Sequence, residues 1–181
     1  MNKAAASDPR QVYKVDLSSQ NLNKVISEDL ALFEQLHTLD ISENKLSLIQ
    51  LGYLPVLREL AIASNKMTDL ESDVAFGLPL LEILDISFNS LTQESIATLA
   101  ALPNLRLLNL SNNHLSELPH VLANMHAWWK QFEAEEGEEE HPIPKMIGSL
   151  PGFLKLHTLD LSYNRFTSFK VIADTLKTLP K

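Results

Sequence analysis

The apolar residues of this chain recur in a fixed frame of eleven positions. In the stretch LHTLDISENKL, residues 36–46, leucine or isoleucine stands at steps 1, 4, 6 and 11, and asparagine stands at step 9. The same frame begins again at residues 12, 57, 81, 105 and 156. Because six copies share one pattern, we predict a repeat protein in which each copy forms one coil of a solenoid.

Each frame predicts a short strand with one face in the core. Steps 3 to 6 alternate between outward and inward positions, as a half-buried strand requires. Steps 1, 4, 6 and 11 should point inward, and the asparagine at step 9 should bond backbone groups of the neighbouring coils. The first copy carries Gln20 at step 9. That departure suits the atypical end coil of a solenoid.

Short helices are predicted between the frames. Ser27, Glu28 and Asp29 have the composition of a helix N-terminus, and Thr92 opens a second helix that runs through IATLAAL. Leu-Pro pairs precede the third, fourth and fifth frames and should end the preceding helices. The predicted fold class is therefore α/β: a right-handed solenoid with a curved parallel β-sheet and short helices or 3₁₀ turns on the convex side.

The domain organisation follows from the same frame. Residues 1–11 are predicted to be a flexible N-terminal lead, and residues 12–181 one repeat domain of six coils. The ending LKTLPK matches the LAALPN that precedes the fifth frame, so a seventh strand is due where the sequence stops. Either the chain is part of a longer protein or coil six has no cap, and we favour the first interpretation because an exposed edge strand invites pairing or aggregation.

One interval between frames is too long. The step-9 positions of the fifth and sixth frames, 113 and 164, lie 51 residues apart, whereas the other intervals are 21 or 24 residues. One interpretation is an acidic insertion at about 128–149, looped out between the coils. The alternative is a degenerate coil, with Trp129 and Phe132 at steps 1 and 4. Since Glu139 would then place a charge at the buried step 11, we favour the insertion.

Charge, cysteine content and hydropathy limit the classes of partner. The 181 residues carry a net charge of −8, and six Glu and one Lys in 128–141 supply five of those eight charges. An acidic chain argues against nucleic-acid binding, and the absence of an apolar run near ~18 residues argues against a membrane span. The lack of cysteine and of an apolar signal segment predicts a cytoplasmic location, with a cytoskeletal, ciliary or nuclear one left open.

The strand sequences LDIS and LDLS resemble those of the leucine-rich repeat family. The resemblance is to its intracellular short-repeat class, which includes regulatory subunits of protein phosphatase 1 and many ciliary proteins. Residues 80–123, LLEILDISFNSLTQESIATLAALPNLRLLNLSNNHLSELPHVLA, are similar to the family of X-ray radiation resistance-associated protein. The resemblance implies an intracellular solenoid without enzymatic chemistry.

The residues themselves offer little for catalysis. The chain has no cysteine nucleophile, no glycine-rich phosphate loop and no HExxH pattern, so we predict no catalytic, cofactor or metal site and no enzyme. Step 5 forms a column with four aspartates, and it has two interpretations. It could hold a basic peptide or a cation, or each side chain could bond the nearby strand end. We favour the second.

A binding surface is predicted on the concave sheet face of the later coils. Apolar side chains that point outward from a solvated sheet usually mark an interface. The predicted protein-binding residues are Arg58, Ile83, Phe88, Arg106, Leu107 and Tyr163. Trp128, Trp129 and Phe132 form a secondary candidate contact. The interpretation that competes with a concave binding surface is that the insertion folds over these apolar side chains and covers them.

The predicted function is a non-enzymatic protein–protein interaction scaffold within a larger intracellular assembly. Two alternatives are a structural component of a ciliary axoneme or other microtubule assembly, and a regulatory or targeting subunit of an enzyme such as a protein phosphatase. The predicted partners are proteins, with microtubules as the partner under the axonemal alternative, and neither nucleic acid nor membrane.

Overall fold

The computed structural model of the chain describes residues 8–51, 53–70, 77–100, 102–118, 153 and 155–176. Within them, each frame forms one short strand at steps 3 to 5. The strands are β1 Lys14–Asp16, β2 Thr38–Asp40, β3 Glu59–Ala61, β4 Ile83–Asp85, β5 Leu107–Asn109 and β6 Thr158–Asp160.

The six strands form one parallel sheet in the order of the sequence, which confirms the predicted open solenoid. Every residue pairs with the residue at the same step of the next coil, as Leu60 does with Leu84. Side chains at one step therefore form a column across the sheet.

Short helical segments precede, separate and follow the strands. They are a 3₁₀ helix at Pro9–Gln11, α1 at Ser27–Leu30, a 3₁₀ helix at Leu48–Leu51, α2 at Gln93–Leu99 and α3 at Phe169–Leu176. The helices predicted from Ser27 and Thr92 are both present. Asp8 caps the first 3₁₀ helix by accepting the Arg10 N–H at 3.1 Å, so the predicted lead ends in a defined turn. No helix in the described part of the chain has the length and apolar character needed to cross a bilayer.

The core is a ladder of aliphatic side chains at the predicted inward steps. In coils two to five the side chains at steps 1, 4, 6 and 11 are buried, and each contributes roughly 1.5–3 kcal/mol relative to exposure. The equivalent residues of the end coils are less covered: Val15 and Leu159 are half-buried, and Leu17 is exposed. An end coil packs against one neighbouring coil only, so its inward face keeps contact with solvent.

The step-9 asparagines connect the coils, as predicted. The oxygen of Asn89 accepts the backbone N–H groups of Asn65 and Met67, both at 3.0 Å. Its amide nitrogen donates to three carbonyls, among them Ile62 in the preceding coil at 3.2 Å. In coils two to six, every step-9 oxygen accepts the step-11 N–H of the preceding coil. These bonds satisfy backbone groups that are freed where each strand bends into its turn.

The long interval falls between two strands that are direct neighbours. Strand β5 pairs with β6, with Leu107 opposite Thr158, so their pairing leaves no place between them for the strand of another coil. The predicted insertion at 128–149 lies outside the described residues, as do Trp128, Trp129 and Phe132, and its bounds stay a prediction.

Candidate functional site: the outer sheet face

The outer sheet face consists of the side chains at steps 2, 3, 5 and 8, which point away from the core. At step 3, Ile83 and Leu107 are register partners in β4 and β5. Ile83 is 36% exposed and Leu107 is half-buried. Since neighbouring strands lie about 4.8 Å apart, the two side chains form one continuous apolar patch at the start of the strands.

Step 8 places two aromatic rings in solvent. Phe88 is 58% exposed and Tyr163 is 82% exposed. All step-8 residues adopt a left-handed backbone, with φ between 51° and 57°. Asparagine tolerates this region, and Asn112 occupies it in coil five, but for a bulky aromatic residue it is unfavourable. This backbone constraint was not predicted, because serine, glutamate and the aromatic residues at this step carry no signal for it.

The two rings are not adjacent. The Phe88 N–H donates to Ser111 O at 3.1 Å, and the Asn112 N–H donates to Ser162 O at 3.0 Å. Asn112 therefore stands between Phe88 and Tyr163, whose backbones are roughly 10 Å apart at the usual strand spacing. The predicted apolar cluster thus consists of two groups, one at each end of the strands, with the step-5 column between them.

The step-5 side chains hold the turns that follow the strands. Asp16 Oδ1 accepts the Ser18 N–H at 2.9 Å, and Asp160 Oδ1 accepts the Ser162 N–H at 2.9 Å. These backbone bonds, with help from the serine hydroxyls, lower the pKa of both carboxyls. Asp40, Asp85 and Asn109 make the same bond. The favoured interpretation of this column, a structural one, agrees with these bonds.

Ala61, at step 5 of coil three, has no side-chain acceptor, so another residue accepts the step-7 N–H of that coil. The N–H of Ala63, at step 7 of the same coil, bonds instead to the hydroxyl of Ser42 in the preceding coil at 3.3 Å. Among the described residues, no group of three or more His, Asp or Glu side chains is arranged to hold a metal ion.

Step 2 carries a charged network that the sequence analysis did not single out. Glu82 Oε1 bonds the Arg58 guanidinium, and Glu82 Oε2 lies 3.7 Å from Arg106 Nη1. The two arginines that were predicted to flank the apolar residues are thus joined through one carboxylate. Further along the column, the rings of Tyr13 and His37 stack with centroids 5.3 Å apart. The alternation of Arg, Glu and Arg at one step was the available signal.

Comparison with protein families agrees with this geometry. Two leucine rich repeat models match the chain, one over residues 55–115 and the other over 155–179. The matched ranges hold frames three to five and frame six, and the six-stranded parallel sheet has one strand per frame. Residues 55–115 and 155–179 of this chain are therefore leucine-rich repeats.

Solved leucine-rich repeat structures share the fold. A leucine-rich repeat protein of Leptospira interrogans is 24% identical with a TM-score of 0.59, and the match covers 95% of this chain and 42% of that one. An internalin of Listeria monocytogenes is 24% identical with a TM-score of 0.52, and the match covers 93% of this chain and 46% of that one. The chain therefore spans less than half the length of either protein.

No curated protein matches the chain. The closer resemblance to X-ray radiation resistance-associated protein, which rested on residues 80–123, is therefore not supported. The matched repeats have a more general functional meaning. Leucine-rich repeat domains generally mediate protein–protein interaction, and solenoids of this kind bind partners on an extended concave surface.

Proposed function

We propose that this leucine-rich repeat domain is a non-enzymatic interaction scaffold that binds a protein partner on the outer sheet face of coils three to six. The proposed contact residues are those predicted from the sequence: Arg58, Ile83, Phe88, Arg106, Leu107 and Tyr163. The observation that carries the proposal is the pair of exposed aromatic rings at step 8, where the backbone is left-handed.

The backbone makes this pair informative. A left-handed conformation costs a residue with a large side chain roughly 1–2 kcal/mol, and Phe88 is 58% exposed, so little burial offsets that cost. Serine and asparagine occupy the same step in other coils of this chain, which shows that the turn does not need an aromatic residue. Strained residues of this kind cluster at functional sites, and exposed aromatic side chains are typical anchors of protein interfaces.

The apolar pair at step 3 adds a second contact area. Ile83 and Leu107 form a patch beside the Arg58–Glu82–Arg106 network, so the face combines an apolar centre with a charged border. Protein interfaces commonly have this arrangement. The narrower roles, in an axoneme or other microtubule assembly or with a phosphatase, and the cytoplasmic location stay proposals that rest on the sequence alone.

The test replaces the contact residues with residues that the chain already uses at the same steps. Phe88→Asn copies Asn112, and Leu107→Thr copies Thr158, so neither change should disturb the coil. The matched control is Tyr13→Ser, which removes an aromatic ring with the same 58% exposure from the outer sheet face of coil one.

Proteins captured by each variant from native extract are quantified by mass spectrometry. We expect the Phe88→Asn, Leu107→Thr double variant to lose a partner that the control retains. Removing an interface anchor worth about 2 kcal/mol weakens binding about thirtyfold. Equal capture by the wild type and the double variant, with a melting temperature no lower than that of the wild type, would refute the proposal.

A further inference from the structure

A basic cleft borders the apolar pair at the start of the strands. It has a volume of about 300 Å³ and is lined by Glu82, Asn104, Arg106, Lys155 and His157. These residues stand at step 2, or just before step 1, of coils four to six. The cleft therefore opens directly beside Ile83 and Leu107, which follow Glu82 and Arg106 in the sequence.

Backbone bonds of the sheet fix the step-2 side of the cleft. The Arg106 N–H donates to Glu82 O at 2.8 Å, and the His157 N–H donates to Arg106 O at 2.8 Å. Glu82, Arg106 and His157 are therefore side by side in consecutive coils. Their spacing is set by the strand separation and does not depend on the side chains.

On the side of the cleft opposite step 2, the neutral amide of Asn104 positions the ammonium group of Lys155. Lys155 Nζ donates to Asn104 Oδ1 at 2.7 Å, and Asn104 Nδ2 donates to the Pro79 carbonyl at 2.8 Å. Asn104 is thus anchored by its nitrogen and presents its oxygen to a lysine 51 positions away in the sequence. An ammonium group has three donors, so this bond leaves two of them for a ligand.

The charges around the cleft do not balance. Glu82 is the one carboxylate among the described lining residues, and it is shared between Arg58 and Arg106. Among the described residues, no carboxylate lies within ion-pair distance of Lys155; its bonding partner there is neutral Asn104. The described lining therefore holds two cationic side chains, Arg106 and Lys155, and one carboxylate that also pairs with Arg58, which leaves an excess of positive charge in a chain whose net charge is −8. A second carboxylate would complete the group.

The geometry points to this cleft as the binding site for an aspartate or glutamate side chain of the protein partner. The inference rests on the proposed function and adds the chemistry of the partner. The acidic residue inserts between Arg106 and Lys155, and a neighbouring apolar residue of the partner packs on Ile83 and Leu107. Phe88 is six positions beyond Glu82, so an extended partner segment that reaches the aromatic step spans at most about 20 Å, or about six residues.

The rest of the outer sheet face disfavours a polyanion. Asp40, Glu43, Glu59 and Asp85 lie on this face in coils two to four. A nucleic acid that covered the cleft would meet these carboxylates, and like charges oppose its binding. One carboxylate with apolar neighbours fits both the cleft and its surroundings.

The experiment uses a displayed library of random twelve-residue peptides selected on the whole chain. Selected peptides are then measured by fluorescence polarisation against the wild type and single variants. Lys155→Glu reverses the charge in the cleft, and Lys14→Glu is the matched control, because Lys14 is an exposed lysine on the outer sheet face of coil one.

We expect the selected peptides to share an acidic residue next to an aliphatic one. Lys155→Glu should weaken their binding about tenfold, and Lys14→Glu should change it less than about twofold, because a distant exposed charge is screened. A peptide with lysine in place of its acidic residue should regain binding to the Lys155→Glu variant. The same peptide should bind the wild type more weakly than the original peptide does.

The outcomes separate the two proposals. Peptides that depend on Phe88 and Leu107, lack a shared acidic residue and bind Lys155→Glu normally would overturn the cleft assignment and leave the proposed function standing. Equal binding after the acidic residue is changed to glutamine would also overturn it. If no selected peptide is sensitive to Phe88→Asn or Leu107→Thr, the proposed function itself fails.

Discussion

The step-9 asparagine of a central coil should be one of the most sensitive polar positions in this protein. Asn89 is 5% exposed and takes part in five hydrogen bonds, two through its oxygen and three through its nitrogen. In Asn89→Ala, the backbone N–H groups of Asn65 and Met67 lose their acceptor. The alanine side chain has no polar atom to replace it.

The loss of stability in Asn89→Ala follows from the two backbone N–H groups that would have no acceptor. A buried donor without a partner costs about 1–3 kcal/mol, so Asn89→Ala should lower the free energy of unfolding by about 2–6 kcal/mol. Asn164 is the matched comparison, because it makes the same type of bonds at the same step of the last coil, where it is only half-buried. Water can replace its bonds, so Asn164→Ala should cost about 0.5–1.5 kcal/mol.

Urea unfolding followed by circular dichroism measures both variants, and thermal unfolding supports the result. For a chain of this length, 1 kcal/mol shifts the melting temperature by roughly 2–4 °C, so the two variants should be clearly separated. If Asn89→Ala and Asn164→Ala lower the free energy of unfolding equally, burial does not control the contribution of the step-9 hydrogen bonds, and the reasoning is wrong. A loss below about 1 kcal/mol for Asn89→Ala would lead to the same conclusion.

Two further predictions concern the outer sheet face. Phe88→Asn should raise the free energy of unfolding by up to about 1 kcal/mol, because asparagine tolerates the left-handed backbone as Asn112 does; a lower urea midpoint would contradict this. A hydrogen bond from the Ser162 N–H lowers the pKa of Asp160 from its unfolded value of 3.8. The Asp160 carboxylate therefore stabilises the folded state above pH 3.8, and this stabilisation is lost as the pH falls through the lower folded pKa. Asp160→Asn keeps the bond, as Asn109 shows, and should reduce the fall in melting temperature below about pH 4; an unchanged acid profile would contradict this.

The sequence predicted the parts of the site that depend on the repeat. Ile83 and Leu107 were expected to face outward in neighbouring coils, and the structure makes them register partners. The step-9 asparagines were expected to bond neighbouring coils, and they do. Both predictions need only the position of each residue in the frame, since a parallel sheet with no register shift converts equal steps into neighbours.

Other features of the site needed the folded chain. The predicted cluster separates into two groups because Phe88 and Tyr163 lie at the far end of the strands from Ile83. The shape of the turn sets the left-handed backbone at step 8. Residues without a preference for this conformation occupy the step, so the sequence does not predict it. The contact between Lys155 and Asn104 joins positions 51 residues apart across the one irregular interval, where the frame alone does not say which coils are neighbours.

By itself, the sequence determined the position of each of the six described strands and the inward side chains of the core. It could do so because every coil repeats the same local pattern and packs only against its neighbours. The tertiary structure alone decided that Lys155 meets Asn104 beside Arg106, since the frame does not say which coils are neighbours across the long interval. It also decided which aromatic rings are held in an unfavourable backbone, because the shape of the turn, and not the residue at step 8, sets that dihedral angle.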